Sequence, residues 1–139
     1  DRQRLEELAR QENAPVEFLG YQDHGSMAAW LRTSDITVNS LVKSAVQSIV
    51  TKIGDYLASG KPMINTGSSP EFRNKGTTDG FGLNVEAENP EALADVLEEL
   101  ARTPSLRKIM GARGRAVAER EFDQRTSYLA IVNLLRNLI

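Results

Sequence analysis

The sequence predicts an α/β domain built on a doubly wound parallel sheet and closed by a helical C-terminal tail. Three observations carry that expectation. Short apolar, β-branched runs alternate with helix-period segments through the first two-thirds of the chain. The helical segment 51–59 closes on Gly60-Lys61-Pro62 and runs straight into the apolar run Met63-Ile64-Asn65-Thr66, as a helix feeding a parallel strand does. From Asn89 onward the apolar period is helical without interruption.

Taken in order, residues 2–12 place Leu5 and Leu8 on one face of a charged helix. Val16-Glu17-Phe18-Leu19-Gly20 follows Pro15 and reads as a short strand ending at a glycine turn. Asp23 to Gly25 is polar, His24 within it is a solvated loop residue, and Ser26 is the expected cap of a helix bearing Met27, Trp30 and Leu31. Asp35-Ile36-Thr37-Val38-Asn39-Ser40 reads as a second strand. Residues 41–50 show no clear period. The helix over 51–59 has Thr51 at its start and Gly60 where a C′ glycine would stop it. A strand over Met63–Thr66 follows. Pro70 opens a short helix over 71–74, residues 75–80 form a polar Gly/Thr loop, and Gly82-Leu83-Asn84-Val85 is a fourth strand.

Asn89 and Pro90 are an N-cap and N1 pair for a helix whose core face is Leu93, Val96, Leu97 and Leu100. Residues 105–121 form another helix, with Leu106, Ile109, Met110, Val117 and Phe122 expected on its buried side. Asp123 caps the last helix. Its Tyr128, Ile131, Val132, Leu134, Leu135 and Leu138 form a face wide enough for core or for packing on a second domain. A doubly wound domain usually begins with a strand, so a chain that opens on a helix and lacks an initiator Met is expected to be truncated at its N-terminus.

With 139 residues and 40% hydrophobic content, the chain has the size and composition of one soluble domain. Its net charge of −2 lacks the basic surplus of a nucleic-acid binder. The absence of cysteine removes disulfides, thiolate metal sites and cysteine nucleophiles, and suits a reducing compartment. A single histidine excludes a multi-histidine metal site. No Ser-His-Asp set and no Gly-x-x-x-x-Gly-Lys-Ser/Thr loop can be built.

The segment Thr51 to Pro62 carries the densest chemistry. Sheets of this class bind ligands beyond the C-terminal ends of their strands, beside helix N-termini whose free N–H groups and partial positive charge suit phosphate. Thr51 and Lys52 would offer a hydroxyl and an ammonium at such an end; they are also what an ordinary cap and a solvated lysine look like. Asp55, the one acid in that helix, could accept hydrogen bonds from a ribose diol or be a solvated surface group. The small-residue runs Gly67-Ser68-Ser69 and Gly76 to Gly82 permit close backbone approach, as any surface turn does. Arg107, Lys108, Arg113, Arg115, Arg120 and Arg125 are offset by nearby acids and read as a solvated face.

In order, Val16-Glu17-Phe18-Leu19-Gly20, then Trp30 through Val38, then Asp55-Tyr56-Leu57-Ala58-Ser59-Gly60-Lys61-Pro62, then Gly80 to Val85 with Asn89-Pro90-Glu91-Ala92-Leu93-Ala94, and finally Met110 to Arg115 with Phe122 are matched across nearly the whole chain. This resembles the C-terminal domain of GT-B fold glycosyltransferases of the group 1, retaining family. The central run is similar to that family's E-A-M-A-x-G-K-P signature. The resemblance implies a domain that binds a nucleotide-sugar donor, with the acceptor-binding domain outside this chain. The family's paired acids map onto Asp55, beside the nucleotide ribose, and Gln47, beside the donor sugar, where a neutral amide replaces a carboxylate. It further implies that Thr51 and Lys52 face the diphosphate, that Ser48 is among the donor-binding residues, and that the loop at Gly20 and Tyr21 lies near the base.

The same resemblance implies a metal-independent enzyme without cofactor, and an acceptor that is a glycan or lipid-linked. It also implies a role in cell-surface polysaccharide synthesis and a cytoplasmic location, at most peripheral to the inner membrane face. Another GT-B enzyme such as a sugar-nucleotide epimerase, or a non-catalytic nucleotide-binding module, are the alternatives.

Overall fold

The structure is a computed structural model and describes residues 2–45 and 51–137. In chain order its elements are α1 (Arg2–Gln11), α2 (His24–Thr33), β1 (Thr37–Asn39), α3 (Lys52–Ala58), β2 (Met63–Asn65), α4 (Pro70–Asp79), β3 (Gly82–Asn84), α5 (Pro90–Arg102), α6 (Pro104–Glu121) and α7 (Gln124–Arg136). The strands form one parallel sheet in the order β1-β2-β3, with Thr37, Met63 and Gly82 in register, then Val38, Ile64 and Leu83, then Asn39, Asn65 and Asn84.

Side chains alternate across a strand, so consecutive residues of β2 face opposite layers. Met63 joins Ile53 and Leu57 of α3, Phe72 of α4, Phe81, and Val117 and Ala118 of α6 in one buried cluster. Ile64 joins Val85, Leu100 of α5 and Met110 of α6 in a second, with Val38, Leu83 and the apolar stripe of α5 against it. The sheet is therefore covered on both faces, as a doubly wound fold requires. Helix α6 contributes to both clusters and ties the two layers together. Each fully buried Leu or Ile is worth about 1.5–3 kcal/mol by area removed from water.

Local signals set several boundaries. Gly60 takes φ +71°, the left-handed geometry that ends α3. The Asn89 side chain accepts from Ala92 N–H at 3.0 Å, with Pro90 opening α5. Ser69 and Pro70 open α4 in the same way, and the Asp123 carboxylate accepts from Arg125 N–H to cap α7.

Several expectations are corrected. Residues 16–20 form no ladder with the sheet; Arg2 instead donates to the Phe18 carbonyl at 3.1 Å, and Val16 is exposed. The sheet thus has three strands among the described residues, where four were expected. The cap of α2 is Asp23 rather than Ser26: its carboxylate accepts from both the N–H and the hydroxyl of Ser26, which hold the Asp23 carboxyl below its ordinary value. His24 consequently opens a helix instead of sitting in a loop. Residues 75–79 continue α4, because Phe72 and Gly76 are buried and the Gly76 backbone lies against the Phe81 ring.

On α6 the buried side is Met110, Gly111, Gly114, Val117 and Ala118, whereas Ile109 and Phe122 are exposed. The apolar face of α7 is not core either: Tyr128, Ile131, Val132, Leu134 and Leu135 are all exposed, and Leu138 lies outside the described residues.

Two outcomes follow from this packing. A Cβ on Gly111 would overlap the Gly60 carbonyl oxygen, a backbone atom that cannot move independently of the α3–β2 turn. Gly111→Ala should therefore lose at least about 2 kcal/mol in urea unfolding, despite the better helix propensity of alanine.

The second concerns the ion cluster between α4 and α6. Lys75 Nζ lies 2.8 Å from Glu121 and 3.0 Å from Asp79. The Lys75 hydrogen bond holds the Glu121 carboxyl below its ordinary 4.5, and the same bond raises the Lys75 ammonium above its ordinary 10.5. A depressed acid stabilises above its unfolded value and loses that contribution as pH falls through the folded one. A raised base stabilises below its unfolded value and loses that contribution as pH rises through the folded one. The pair therefore acts between the two ordinary values. Lys75→Met should cost under about 1 kcal/mol at pH 7, given the partial exposure. The difference from the parent chain should vanish in acid unfolding below the ordinary carboxylate range.

Candidate functional site

At the C-terminal ends of the strands, the carbonyls and side chains of β1 and β2 hold the loops that leave them. Thr66 donates its N–H to the Asn39 carbonyl at 3.1 Å. Its hydroxyl accepts from Leu41 N–H and donates to the Leu41 carbonyl, both at 2.7 Å. Arg73 of α4 donates to the Gly67 and Val85 carbonyls and pairs with Glu86 at 2.6 Å, linking the loops after β2 and β3. Asn39, Asn65 and Asn84 join in a side-chain ladder across the sheet.

Helix α3 leaves this end of the sheet on the Met63 face. Ile53 and Leu57 are wholly buried, which turns Thr51 and Asp55 to solvent. Thr51 occupies the cap position but has helical geometry and makes no side-chain cap bond, a departure from the expected capping hydroxyl. The first-turn N–H groups of α3 therefore receive no acceptor from Thr51. The Lys52 ammonium lies 5.7 Å from the centroid of the Tyr56 ring one turn on. The Tyr56 hydroxyl is pushed above its ordinary value by burial and, secondarily, by the neighbouring Asp55 charge.

Asp55 lies on a ridge between two open clefts. One, of about 410 Å³, is lined by Thr51, Gly54, Asp55, Arg115, Glu119 and Phe122. The other, of about 380 Å³, is lined by His24, Met27, Leu31, Asp55, Ser59 and Arg115. Arg115 of α6 donates to the Ala58 carbonyl at 2.6 Å, satisfying an end of α3, and pairs with Glu119 at 2.7 Å.

The structure thus brings Thr51, Lys52 and Asp55 together on one helix and sets Asp55 beside His24 across a cleft. Gly20 and Tyr21 line neither cleft around Asp55; Tyr21 is 94% exposed. Gln47 and Ser48 lie outside the described residues. Sequence reasoning missed Arg115, Arg73 and the asparagine ladder. Arg115 stands among other arginines in the sequence and far from α3, so nothing local marks it. Among the described residues no group of three or more histidines, cysteines or carboxylates gathers as a metal site, and no helix is long and apolar enough to cross a membrane.

Residues 1–103 match the family model described as "Glycosyl transferases group 1". A similar curated protein is a GDP-mannose-dependent monoacylated alpha-(1-6)-phosphatidylinositol monomannoside mannosyltransferase from Corynebacterium glutamicum. It is 30% identical, over 96% of this chain and 35% of the relative. A sucrose-phosphate synthase from Thermosynechococcus elongatus has a similar solved structure, with a TM-score of 0.82 and 24% identity, over 99% of this chain and 34% of that one. That likeness bears on the fold, which is the α/β, doubly wound arrangement predicted from the sequence. The chain spans about a third of the length of these two proteins.

Because Asp55 is exposed and holds no hydrogen bond or ion pair among the described residues, Asp55→Ala should change stability by no more than about 0.5 kcal/mol. Arg115→Ala, which removes a bond to the end of α3, should cost about 1 kcal/mol. Chemical denaturation of the two variants checks both.

Proposed function

The chain belongs to the group 1 glycosyl transferases, and from that premise we propose that it is the nucleotide-sugar-binding part of a longer sugar-transferring enzyme. The observation that carries this reading is the state of α3. Among the described residues, an exposed carboxylate without partner stands one turn into a helix that begins with Lys52 and receives no side-chain cap from Thr51. An uncapped helix start with an ammonium suits a diphosphate, and a free carboxylate one turn on suits the two hydroxyls of a ribose.

In sugar transfer, the bond between the anomeric carbon and the diphosphate oxygen breaks and a bond forms to an acceptor hydroxyl oxygen. That hydroxyl loses its proton, and the electron pair of the broken bond stays on the nucleoside diphosphate. Positive charge and N–H donors at the diphosphate stabilise the leaving group as charge develops on it. Lys52, Thr51 and the first turn of α3 would supply those groups here, with Ser48 on the same approach. Asp55 would hold the ribose, Gln47 would face the sugar, and the turn at Gly20 and Tyr21 would adjust towards the base. No metal is required by this arrangement.

The acceptor is a glycan or lipid-linked hydroxyl seated on a part of the enzyme outside this chain. A role in cell-surface glycan or glycolipid synthesis at the cytoplasmic side, with at most peripheral membrane contact, fits the mannosyltransferase similarity. Glutamine at position 47 recognises sugar hydroxyls by paired donor and acceptor without charge.

Calorimetric titration of the full-length protein with UDP, GDP and ADP tests the site. One nucleotide should bind, and Asp55→Ala and Lys52→Met should each weaken it about tenfold, or ~1.4 kcal/mol. Only Lys52→Met should reduce the salt dependence. Binding of none of the three would overturn the reading. The 139-residue chain alone should bind the same nucleotide without transferring sugar.

A further inference from the structure

Three asparagines that are distant in sequence meet in register at the C-terminal end of the sheet. Asn39 Nδ2 donates to Asn65 Oδ1 at 2.8 Å, and Asn65 Nδ2 donates to Asn84 Oδ1 at 3.0 Å. Asn84 Nδ2 donates to the Arg73 carbonyl at 2.9 Å and to the Thr77 hydroxyl at 3.2 Å. The direction of this relay is set by backbone groups that cannot reverse. The Arg73 carbonyl only accepts, so Asn84 must present its nitrogen there. Gly67 N–H only donates, and it bonds to Asn65 Oδ1 at 3.0 Å, so Asn65 must present its oxygen there. Asn39 must then donate to that same oxygen; turning its amide over would set two oxygens face to face.

The consequence is that Asn39 Oδ1 has no hydrogen-bond partner among the described residues, although the residue is 2% exposed. A buried acceptor left open lowers stability, and no reorientation of the amide removes the deficit. Asn39 is also not needed to fill space, because a leucine there carries no orphan atom and leaves Asn65 Oδ1 its bond from Gly67 N–H. What it does hold is loop geometry. Asn65 pins Gly67 from both sides, since its nitrogen also lies 3.4 Å from the Gly67 carbonyl. A Cβ on Gly67 would come within 3.0 Å of Asn65 Oδ1 and 3.2 Å of Leu41. The loops leaving β1 and β2 therefore meet directly over the ladder, at the strand ends where parallel sheets bind ligands.

We propose that Asn39, Asn65 and Asn84 are positioning residues for the transferred sugar. They fix residues 40–45 after β1 and 66–69 after β2 beneath the transferred sugar, and the Asn39 oxygen is an acceptor that the described residues leave open. This rests on the donor-site reading above and adds a residue set that distinguishes sugar nucleotide from bare nucleotide.

The test is made in the full-length protein, by titration with GDP-mannose, UDP-glucose and UDP-N-acetylglucosamine and with GDP and UDP. Asn39→Leu removes the orphan oxygen and should leave the melting temperature unchanged or higher. It should weaken the sugar nucleotide that binds by about tenfold while changing the matching nucleoside diphosphate by less than about twofold. Gly67→Ala, which displaces the loop and leaves Asn39 in place, should show the same selective loss and decides the matter if Asn39→Leu does not fold. Asp55→Ala separates the two readings, since it should weaken both ligand types. If Asp55→Ala weakens both and neither loop variant changes the sugar nucleotide selectively, the relay is structural only and the proposal is wrong while the donor site stands. If the parent protein binds no sugar nucleotide and no nucleoside diphosphate, both are wrong.

Discussion

The rest of the fold depends on the central strand Met63-Ile64-Asn65, which is buried at all three positions. It pairs with both neighbours, and its three side chains go to three different purposes. Met63 enters the cluster under α3 and α4, Ile64 the cluster under α5, and Asn65 the polar layer at the strand ends. A parallel strand buried on both faces must satisfy its backbone through neighbouring strands, because neither water nor a local turn can do so. That fixes β1 and β3 beside it. The turn that delivers the chain into it, Gly60-Lys61-Pro62, is in turn pressed by α6 at Gly111. One close backbone contact thereby couples the C-terminal helices to the helix that carries Asp55.

What the sequence made legible is what local chemistry decides. Gly60, the Asn89–Pro90 pair, Pro70 and Asp123 mark element ends because each satisfies an orphan backbone group or a special backbone angle within a few residues. That Thr51, Lys52 and Asp55 share one short helical stretch was legible for the same reason. What was not legible depends on partners distant in sequence. Lys75-Gly76-Thr77-Thr78-Asp79 has loop composition, yet it is helical because Gly76 lets α4 approach Phe81. Val16 to Gly20 has strand composition, yet without a neighbouring strand among the described residues it makes no ladder. The asparagine ladder is invisible in the sequence, because only the parallel register brings Asn39, Asn65 and Asn84 level.

The apolar face of α7 shows the same limit from another side. Tyr128, Leu129, Ile131, Val132, Leu134 and Leu135 carry the helical period of a core element, and all are exposed. Periodicity reports that a helix has an apolar face and is silent on what covers it. A face of that width left to solvent is unfavourable for an isolated chain. It is understandable in a chain that spans about a third of two similar proteins.

The charge balance at α3 follows from a chain that is net negative. The diphosphate of the proposed donor would be repelled by the domain as a whole, so attraction has to be local. Two arginines near the sheet end and α3 are engaged, since Arg73 holds Glu86 and two loop carbonyls and Arg115 holds Glu119 and the end of α3, while Arg32 lines the cleft beside Asp55. Among the described residues Lys52 is held only by the face of Tyr56, a contact worth about 0.5–1 kcal/mol. A charge-assisted bond to phosphate is stronger than that, so the ammonium can exchange one for the other at little cost. The ammonium rests over the Tyr56 ring one turn on, and among the described residues it forms no ion pair with Asp55. The helix then presents separated charges, a cation and N–H groups at its start and a free carboxylate one turn on. That separation matches a ligand with an anionic diphosphate at one end and a neutral diol at the other.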